Sequence, residues 1–215
     1  MKRRFFIIFA VVVVIVTMGL IFLFNNLQES ADSNKPNPTD IVNETDKVIG
    51  DPDHAEVIVY EYADYGCSHC ADWNTVMDEL LEKYDGKLVL VFRGYNLGFQ
   101  NGLAAAKAAT AADLQGYWQS YKNLLFANQA EWIYADADDA ESIFAEYFKT
   151  ASNGAGDVAQ FKSDMKSDAV LAQLVYEQSM GDQIKLTGTP TFRIGGKKVN
   201  PNNLVSTVEE LMNKK

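Results

Sequence analysis

Two cysteines three positions apart, between a short apolar run and an amphipathic pattern, constrain the fold of this chain most. The run at 57–62 contains one carboxylate, Glu61, and is typical of a buried strand. After Cys70, apolar residues recur at helical spacing: Trp73, Val76, Met77, Leu80, Leu81 and Tyr84. A second buried strand is predicted at 88–92. This order of strand, helix and strand predicts the parallel crossover of an α/β sheet.

The pattern turns helical between about residues 100 and 182, and we expect three or four helices there as an inserted subdomain. Its aromatic stripes, which run from Leu114 to Leu125, from Ala140 to Phe148 and over 161–180, are interpreted as core packing rather than as a cofactor site. Strand patterns return at 191–194 and 197–199, on either side of Gly195-Gly196, which predicts a hairpin. An amphipathic helix is predicted to follow from Leu204 to Met212.

The N-terminal sequence differs in character from the rest. Residues 5–24 carry no charge and follow Lys2, Arg3 and Arg4. As a helix this run would be about 30 Å long, which matches the hydrocarbon thickness of a bilayer. We therefore predict a basic cytoplasmic tip and a transmembrane signal-anchor at 1–25, with the following chain extracytoplasmic. A cleaved signal peptide is the alternative.

Residues 26–45 are rich in Asn, Ser, Asp and Pro and are predicted to form a flexible tether, so the folded domain is expected at 46–215. The formal net charge of −10 argues against nucleic-acid binding, because an acidic surface repels phosphates. The chain has only two cysteines, and a pair this close cannot close a long loop. Their spacing therefore favours reactivity over structural stapling.

The motif Cys67-Ser68-His69-Cys70 is expected at the start of a helix, where unpaired N–H groups and the positive end of the helix dipole stabilise a thiolate. The pKa of Cys67 should therefore fall, and His69 could add a donor or a positive charge. Cys67 is expected to be the exposed, attacking sulfur and Cys70 the buried, resolving one. A stabilised thiolate favours the dithiol form, which makes the disulfide more oxidising.

Other interpretations of the motif remain open. The pair could be half of a zinc site, with His69 and His54 as the only histidine ligands, or an inert structural disulfide. His69 could also be a simple exposed polar residue. Asp64, three residues before Cys67, is expected at the surface. No metal and no cofactor are predicted for the site.

Residues 61–70, which read EYADYGCSHC, resemble the active-site entry of DsbA-like proteins, and 188–192, GTPTF, resemble the cis-proline loop of that family. The resemblance covers about residues 45–213. It implies a thioredoxin-like fold with a helical insertion, preceded here by one transmembrane helix. It also implies that Pro190 is cis and faces the cysteines, and that Thr189 offers backbone hydrogen bonds to a substrate strand. Ser68, Thr189 and Pro190 are expected to contact the substrate. Ser68, where the family commonly has proline, could also hydrogen-bond locally, and this departure leaves the redox poise open.

Glu61 falls where the family carries a buried carboxylate. Desolvation in an apolar strand should raise its pKa, and such a group could exchange a proton with Cys70. The alternative is a solvated Glu61 at a strand edge, or a Glu61 paired with Arg93.

The resemblance implies a membrane-tethered oxidase that donates its disulfide to exported, cysteine-containing proteins. A membrane quinone-linked protein would reoxidise it, and we expect a monomer. A reductase or isomerase of the same fold is the alternative within this chemistry. A non-catalytic tethered binding or zinc module is the alternative from a different class.

Overall fold

The computed structural model describes residues 17–19 and 38–214. Residues 17–19 are helical, and the rest of the predicted membrane segment lies outside the described residues. Residues 26–37 of the predicted tether also lie outside the described residues. Within the described part of the chain, no helix combines the length and apolarity needed to cross a bilayer.

A five-stranded sheet forms the centre of the domain. Its strands are β1 (Lys47–Ile49), β2 (Val57–Ala63), β3 (Leu88–Gly94), β4 (Thr191–Ile194) and β5 (Lys197–Val199). The spatial order is β1-β3-β2-β4-β5, with β2 and β3 parallel and the other pairs antiparallel. The predicted crossover and hairpin are confirmed, and Gly195 and Gly196 both adopt the positive φ that the tight turn requires.

Helix α1 (Ser68–Lys83) makes the crossover between β2 and β3. Its apolar stripe and that of the C-terminal helix, Leu204–Met212, cover one face of the sheet. Alternation along the strands separates the two faces, since Tyr60, Tyr62, Val89 and Val91 point to the opposite side. This arrangement of a sheet with helices on both faces is the thioredoxin-like α/β fold that the resemblance implied.

Six helices, rather than three or four, lie between β3 and β4: α2 (Gly102–Asp113), α3 (Trp118–Ala127), α4 (Gln129–Trp132), α5 (Ala137–Ala151), α6 (Val158–Asp164) and α7 (Asp168–Gln183). The C-terminal helix is therefore α8. The predicted stripe from Leu114 breaks at Gly116, which has φ of +79°. The stripe predicted over 161–180 splits because Ser167 caps a new helix by accepting a hydrogen bond from the Val170 N–H.

The aromatic stripes of the insertion pack together as its core, as predicted. Phe148 and Phe161 stack with ring centroids 4.3 Å apart, and Tyr121 lies against both rings. All three side chains are buried. The insertion is therefore a helical layer with an apolar interior of its own.

The segment before β1 is packed onto the domain from Thr39, so the predicted tether boundary at residue 45 is wrong by several residues. The physical reason is the burial of Arg93 and Arg193, which need acceptors. Arg93 donates to both carboxylate oxygens of Asp46, at 2.8 and 2.7 Å, and to the carbonyls of Thr39 and Ile41. Arg193 binds Asp40 in the same two-pronged way.

The Arg93–Asp46 pair gives a stability prediction. Both side chains are fully buried, so Asp46→Ala would leave an uncompensated guanidinium in the interior. We expect a loss of about 3–5 kcal/mol in the free energy of unfolding, measured by chemical denaturation. Glu44→Ala, two residues away and exposed, is the matched control and should change stability little. Equal effects of the two substitutions would contradict this account.

Candidate active site

Cys67 occupies the N-cap of α1, directly after the turn that leaves β2. Its carbonyl oxygen accepts hydrogen bonds from the N–H groups of Cys70 and Ala71, and its own N–H donates to the carbonyl of Asp64. The turn therefore presents the Cys67 sulfur to the first N–H groups of the helix, as the motif predicted.

The two thiols differ in exposure. Cys70 is fully buried, whereas 6% of Cys67 is exposed, so Cys67 is the more accessible residue although it is not a surface one. Both cysteines are free thiols in this structure. Only Cys67 offers a sulfur that another protein could approach.

The pKa of the Cys67 thiol is lowered from 9.0 to about 5. A hydrogen bond from the Cys70 thiol contributes most, against an opposing effect of burial. Hydrogen bonds from the backbone N–H groups of Cys70 and His69 stabilise the thiolate further. At neutral pH Cys67 is therefore a thiolate.

Cys70 responds in the opposite direction. Burial raises its pKa strongly, and its hydrogen bond to Cys67 and the charge of Glu61 add to the effect. Cys70 therefore stays protonated beside the Cys67 thiolate, as an attacking and a resolving sulfur would require.

Glu61 is buried in β2, and burial raises its pKa to about 7. The alternative pairing with Arg93 is wrong, because alternation places the two side chains on opposite faces of the sheet. Arg93 lies opposite Tyr62 in the β2–β3 register and donates a hydrogen bond to its hydroxyl, while Glu61 lies opposite Phe92.

Lys122 reaches the site from α3 and lowers the Glu61 pKa in opposition to burial, whereas the charge of Asp78 raises it. The Lys122 ammonium is buried, donates to the side-chain oxygen of Asn74, and lies 3.4 Å from the Asp78 carboxylate. Sequence reasoning missed this lysine, because nothing in the local pattern around 122 distinguishes it from a surface residue.

The Thr189–Pro190 peptide bond is cis, as the resemblance implied. The carbonyl oxygen of Thr189 lies 3.4 Å from the Cys67 Sγ and accepts a hydrogen bond from it when the thiol is protonated. The loop predicted from 188–192 and the cysteine motif, more than a hundred residues apart in sequence, therefore meet at one sulfur atom.

Ser68 and His69 are both exposed on the first turn of α1. The His69 ring lies 3.8 Å from the Asp72 carboxylate, and it is the backbone N–H of His69 that supports the thiolate. A contribution from the ring to the Cys67 thiolate stays a prediction, as does a substrate contact by Ser68.

Two further side chains hold the cysteine turn, and neither was predicted. Asp64 is buried, contrary to expectation, because its carboxylate accepts hydrogen bonds from the N–H groups of Gly66 and Leu97. Gln129, at the start of α4, donates its amide to the carbonyls of Tyr65 and Cys67. The position of Asp64 directly after a buried strand could have predicted its burial. No sequence pattern could have predicted the contacts of Gln129.

An open cleft of about 390 Å³ borders this turn at Asp64 and Tyr65. Its walls come largely from α2 and α7 and include the exposed apolar side chains of Leu103, Leu171 and Val175. Among the described residues, no three His, Cys, Asp or Glu side chains are grouped to hold a metal ion.

Glu61 gives a prediction for the pH dependence of stability. Its carboxyl holds a proton up to a pH of about 7 in the folded state, but only up to its ordinary pKa of 4.5 when exposed. Unfolding at a pH between these two values releases a proton. The wild-type free energy of unfolding should therefore fall as the pH rises from 4.5 to about 7. Glu61→Gln, which cannot titrate, should therefore be more stable than wild type above the window, by up to a few kcal/mol, and gain nothing below it.

The measurement is chemical denaturation of the reduced proteins at the two ends of this pH range. Glu79→Gln, on the exposed side of α1, is the control and should change stability equally at both ends. A Glu61→Gln difference that does not depend on pH would show that the carboxyl is ionised in the folded protein.

Comparisons with known proteins agree with this geometry. A family model described as Thioredoxin matches residues 42–214. Over 159 residues the chain is 30% identical to the "Probable disulfide bond formation protein D" of Bacillus cereus, and the match covers 69% of this chain and 70% of that protein. It is also 30% identical over 159 residues to the Na(+)/H(+) antiporter NhaA 1 of Mycolicibacterium gilvum. The match covers 72% of this chain but only 24% of that antiporter's length, so the similarity concerns one part of the antiporter.

Solved structures share the fold. BdbD from Bacillus subtilis superposes with a TM-score of 0.69 at 16% identity, covering 79% of this chain and 94% of that one. The α-DsbA1 protein of Wolbachia pipientis gives 0.68 at 22% identity, covering 84% and 97%. Because the family model spans most of the chain and the match covers 70% of the Bacillus cereus relative at 30% identity, the chain belongs to the thioredoxin family, together with that disulfide bond formation protein.

Proposed function

We propose that this chain is an extracytoplasmic thiol–disulfide oxidoreductase that donates a Cys67–Cys70 disulfide to exported, cysteine-containing proteins. One observation carries the proposal. The two thiols of the motif differ strongly in acidity, because the pKa of Cys67 is lowered to about 5 and that of Cys70 is raised. A thiolate this stable favours the reduced pair, so the disulfide tends to pass to a substrate.

In the proposed reaction a substrate thiolate attacks the Cys67 sulfur of the oxidised pair. The Cys67–Cys70 bond breaks, a mixed disulfide forms at Cys67, and Cys70 takes up a proton. A second substrate thiolate then attacks the substrate sulfur of the mixed disulfide, and Cys67 leaves as a stable thiolate. Two electrons pass from the substrate to the pair. Of the two protons from the substrate thiols, one ends on Cys70 and the other goes to solvent.

Glu61 is suited to deliver the proton to Cys70. Its carboxyl is buried, its charge acts on Cys70, and its pKa is about 7, so it exists in both protonation states near neutral pH. The Thr189 carbonyl, at 3.4 Å from the Cys67 Sγ, is positioned to accept a backbone N–H of a bound substrate strand once the sulfur is oxidised. Pro190, Ser68 and His69 border the same approach to Cys67.

The location and the partners rest on the sequence. The uncharged run 5–24 after three basic residues supports a single membrane anchor with the domain outside the cell membrane. An anchored domain would stay close to a membrane quinone-linked protein able to reoxidise Cys67 and Cys70. The proposal treats the chain as a monomer without nucleic-acid partners, in keeping with its acidic composition.

The reduction potential of the Cys67–Cys70 pair in the full-length chain tests the proposal. The Cys67 pKa of about 5 falls between values of about 3.5 for DsbA and 7 for thioredoxin. The reference potentials are about −120 mV for DsbA and about −270 mV for thioredoxin. We therefore expect the Cys67–Cys70 potential, measured by equilibration in glutathione buffers, to lie above roughly −200 mV and below that of DsbA. A value near the thioredoxin end would favour a reductase. Failure to form the disulfide would favour a non-catalytic binding or zinc module.

The division of labour between the two sulfurs gives a second test. Cys70→Ser lacks the resolving thiol, so its Cys67 thiolate should attack a disulfide in an unfolded protein and remain attached to it. The adduct should be visible by mass spectrometry without reductant. Cys67→Ser is the matched control and should form no adduct, because Cys70 is buried and protonated. Adducts with Cys67→Ser, or none with Cys70→Ser, would overturn the assigned roles.

A further inference from the structure

Asp64 holds the cysteine turn through both its side chain and its backbone. It follows the last residue of β2, and only 3% of it is exposed. One carboxylate oxygen accepts the Gly66 N–H at 2.8 Å, and the other accepts the Leu97 N–H at 2.5 Å. Its backbone carbonyl accepts the Cys67 N–H at 3.0 Å. One residue therefore joins the turn to the loop between β3 and α2.

The fit around this carboxylate is close. A Cβ at Gly66 would come within 2.6 Å of the Phe99 Cβ, so the turn and the β3–α2 loop are pressed together. A Cβ at Gly102 would lie 3.1 Å from the Asp64 Oδ1. The Asp64 carboxylate is therefore packed between the cysteine turn and the start of α2.

The charge of Asp64 has few opposing groups. Within residues 38–214, no lysine, arginine or histidine forms an ion pair with it, and its hydrogen-bond partners are the two neutral amides. Burial raises the Asp64 pKa against these amides, and negative charge on Cys67 raises it further. On the other side, Cys67 faces the Cys70 thiol, Thr189 and the amides of its own helix.

We propose that Asp64 is a positioning residue that fixes the Cys67 turn and at the same time opposes negative charge on the Cys67 sulfur, so that it limits how oxidising the pair becomes. The disulfide is neutral, whereas its two-electron reduction leaves a thiolate on Cys67 and a proton on Cys70. Asp64 repels only this reduced product and therefore favours the disulfide. The consequence for redox poise rests on the proposed function, but the effect on the thiolate does not.

Asp64→Asn in the full-length chain tests the charge. The amide has nearly the same shape and can keep one of the two backbone hydrogen bonds, but it carries no charge. We expect the Cys67 thiolate, followed by its ultraviolet absorbance, to titrate below the wild-type midpoint of about 5. The equilibrium constant for transfer of the disulfide to glutathione should rise by roughly threefold or more, where tenfold would correspond to about 30 mV.

Two controls separate charge from mechanics. Gln129→Ala removes hydrogen bonds to the carbonyls of Tyr65 and Cys67, which loosens the same turn without removing a charge. Asp72→Asn removes a carboxylate from α1 that is 78% exposed and therefore screened by solvent. Neither should lower the Cys67 midpoint. An unchanged or higher midpoint in Asp64→Asn, or an equal decrease in either control, would overturn the proposal.

A measurement on the wild-type protein covers the case in which Asp64→Asn does not fold. Coupling between two groups is reciprocal, so the Asp64 carboxyl should titrate at higher pH in the reduced protein than in Cys67→Ser, which has no thiolate there. Carbon-13 NMR of the aspartate carboxyls reports this titration. Equal midpoints in the two proteins would refute the proposal. The comparison needs no redox activity, so its result does not depend on the proposed function.

Discussion

The parallel pairing of β2 with β3 is the constraint on which the active site depends. The two strands pair over seven residues, from Val57 with Leu88 to Ala63 with Gly94. Parallel neighbours require a crossover, and here only four residues separate the end of β2 from the start of α1. The N-terminus of α1 is therefore forced to the carboxyl end of the central strand. Cys67 meets the free N–H groups of the helix there, and Glu61 is buried in the same strand, two residues before its end.

The chemistry of the site results from opposing interactions around one sulfur. The Cys70 thiol and the helix amides stabilise the Cys67 thiolate, and they outweigh its burial. Two buried acids interact with the pair, since Glu61 raises the pKa of Cys70 and negative charge on Cys67 raises the pKa of Asp64. A disulfide donor needs a stable thiolate that can still be reoxidised. A fold that keeps both kinds of group near Cys67 can adjust this balance with single substitutions.

The helical insertion takes part in the site. Gln129 binds the carbonyls of the cysteine turn, and Lys122 brings a buried positive charge towards Glu61 and hydrogen-bonds to Asn74 of α1. Both come from the region between β3 and β4. The segment from Thr39 to Asp46 acts similarly at the other face of the sheet, where its carbonyls and carboxylates compensate Arg93 and Arg193. Neither segment can be treated as a detachable addition to the sheet.

The sequence by itself determined the order of strands and helices around the motif, the hairpin at Gly195-Gly196, the asymmetry of Cys67 and Cys70, and the raised pKa of Glu61. Each depends on local periodicity or on burial that an apolar run already implies. The cis bond at Pro190 came from the resemblance to a family, because most such bonds are trans. Only the tertiary structure decided the partner of Glu61, the burial of Asp64, the anchoring by Gln129 and the packing of residues 39–45. These contacts join segments far apart in the chain, and a polar residue is held inside only by partners that local sequence does not specify.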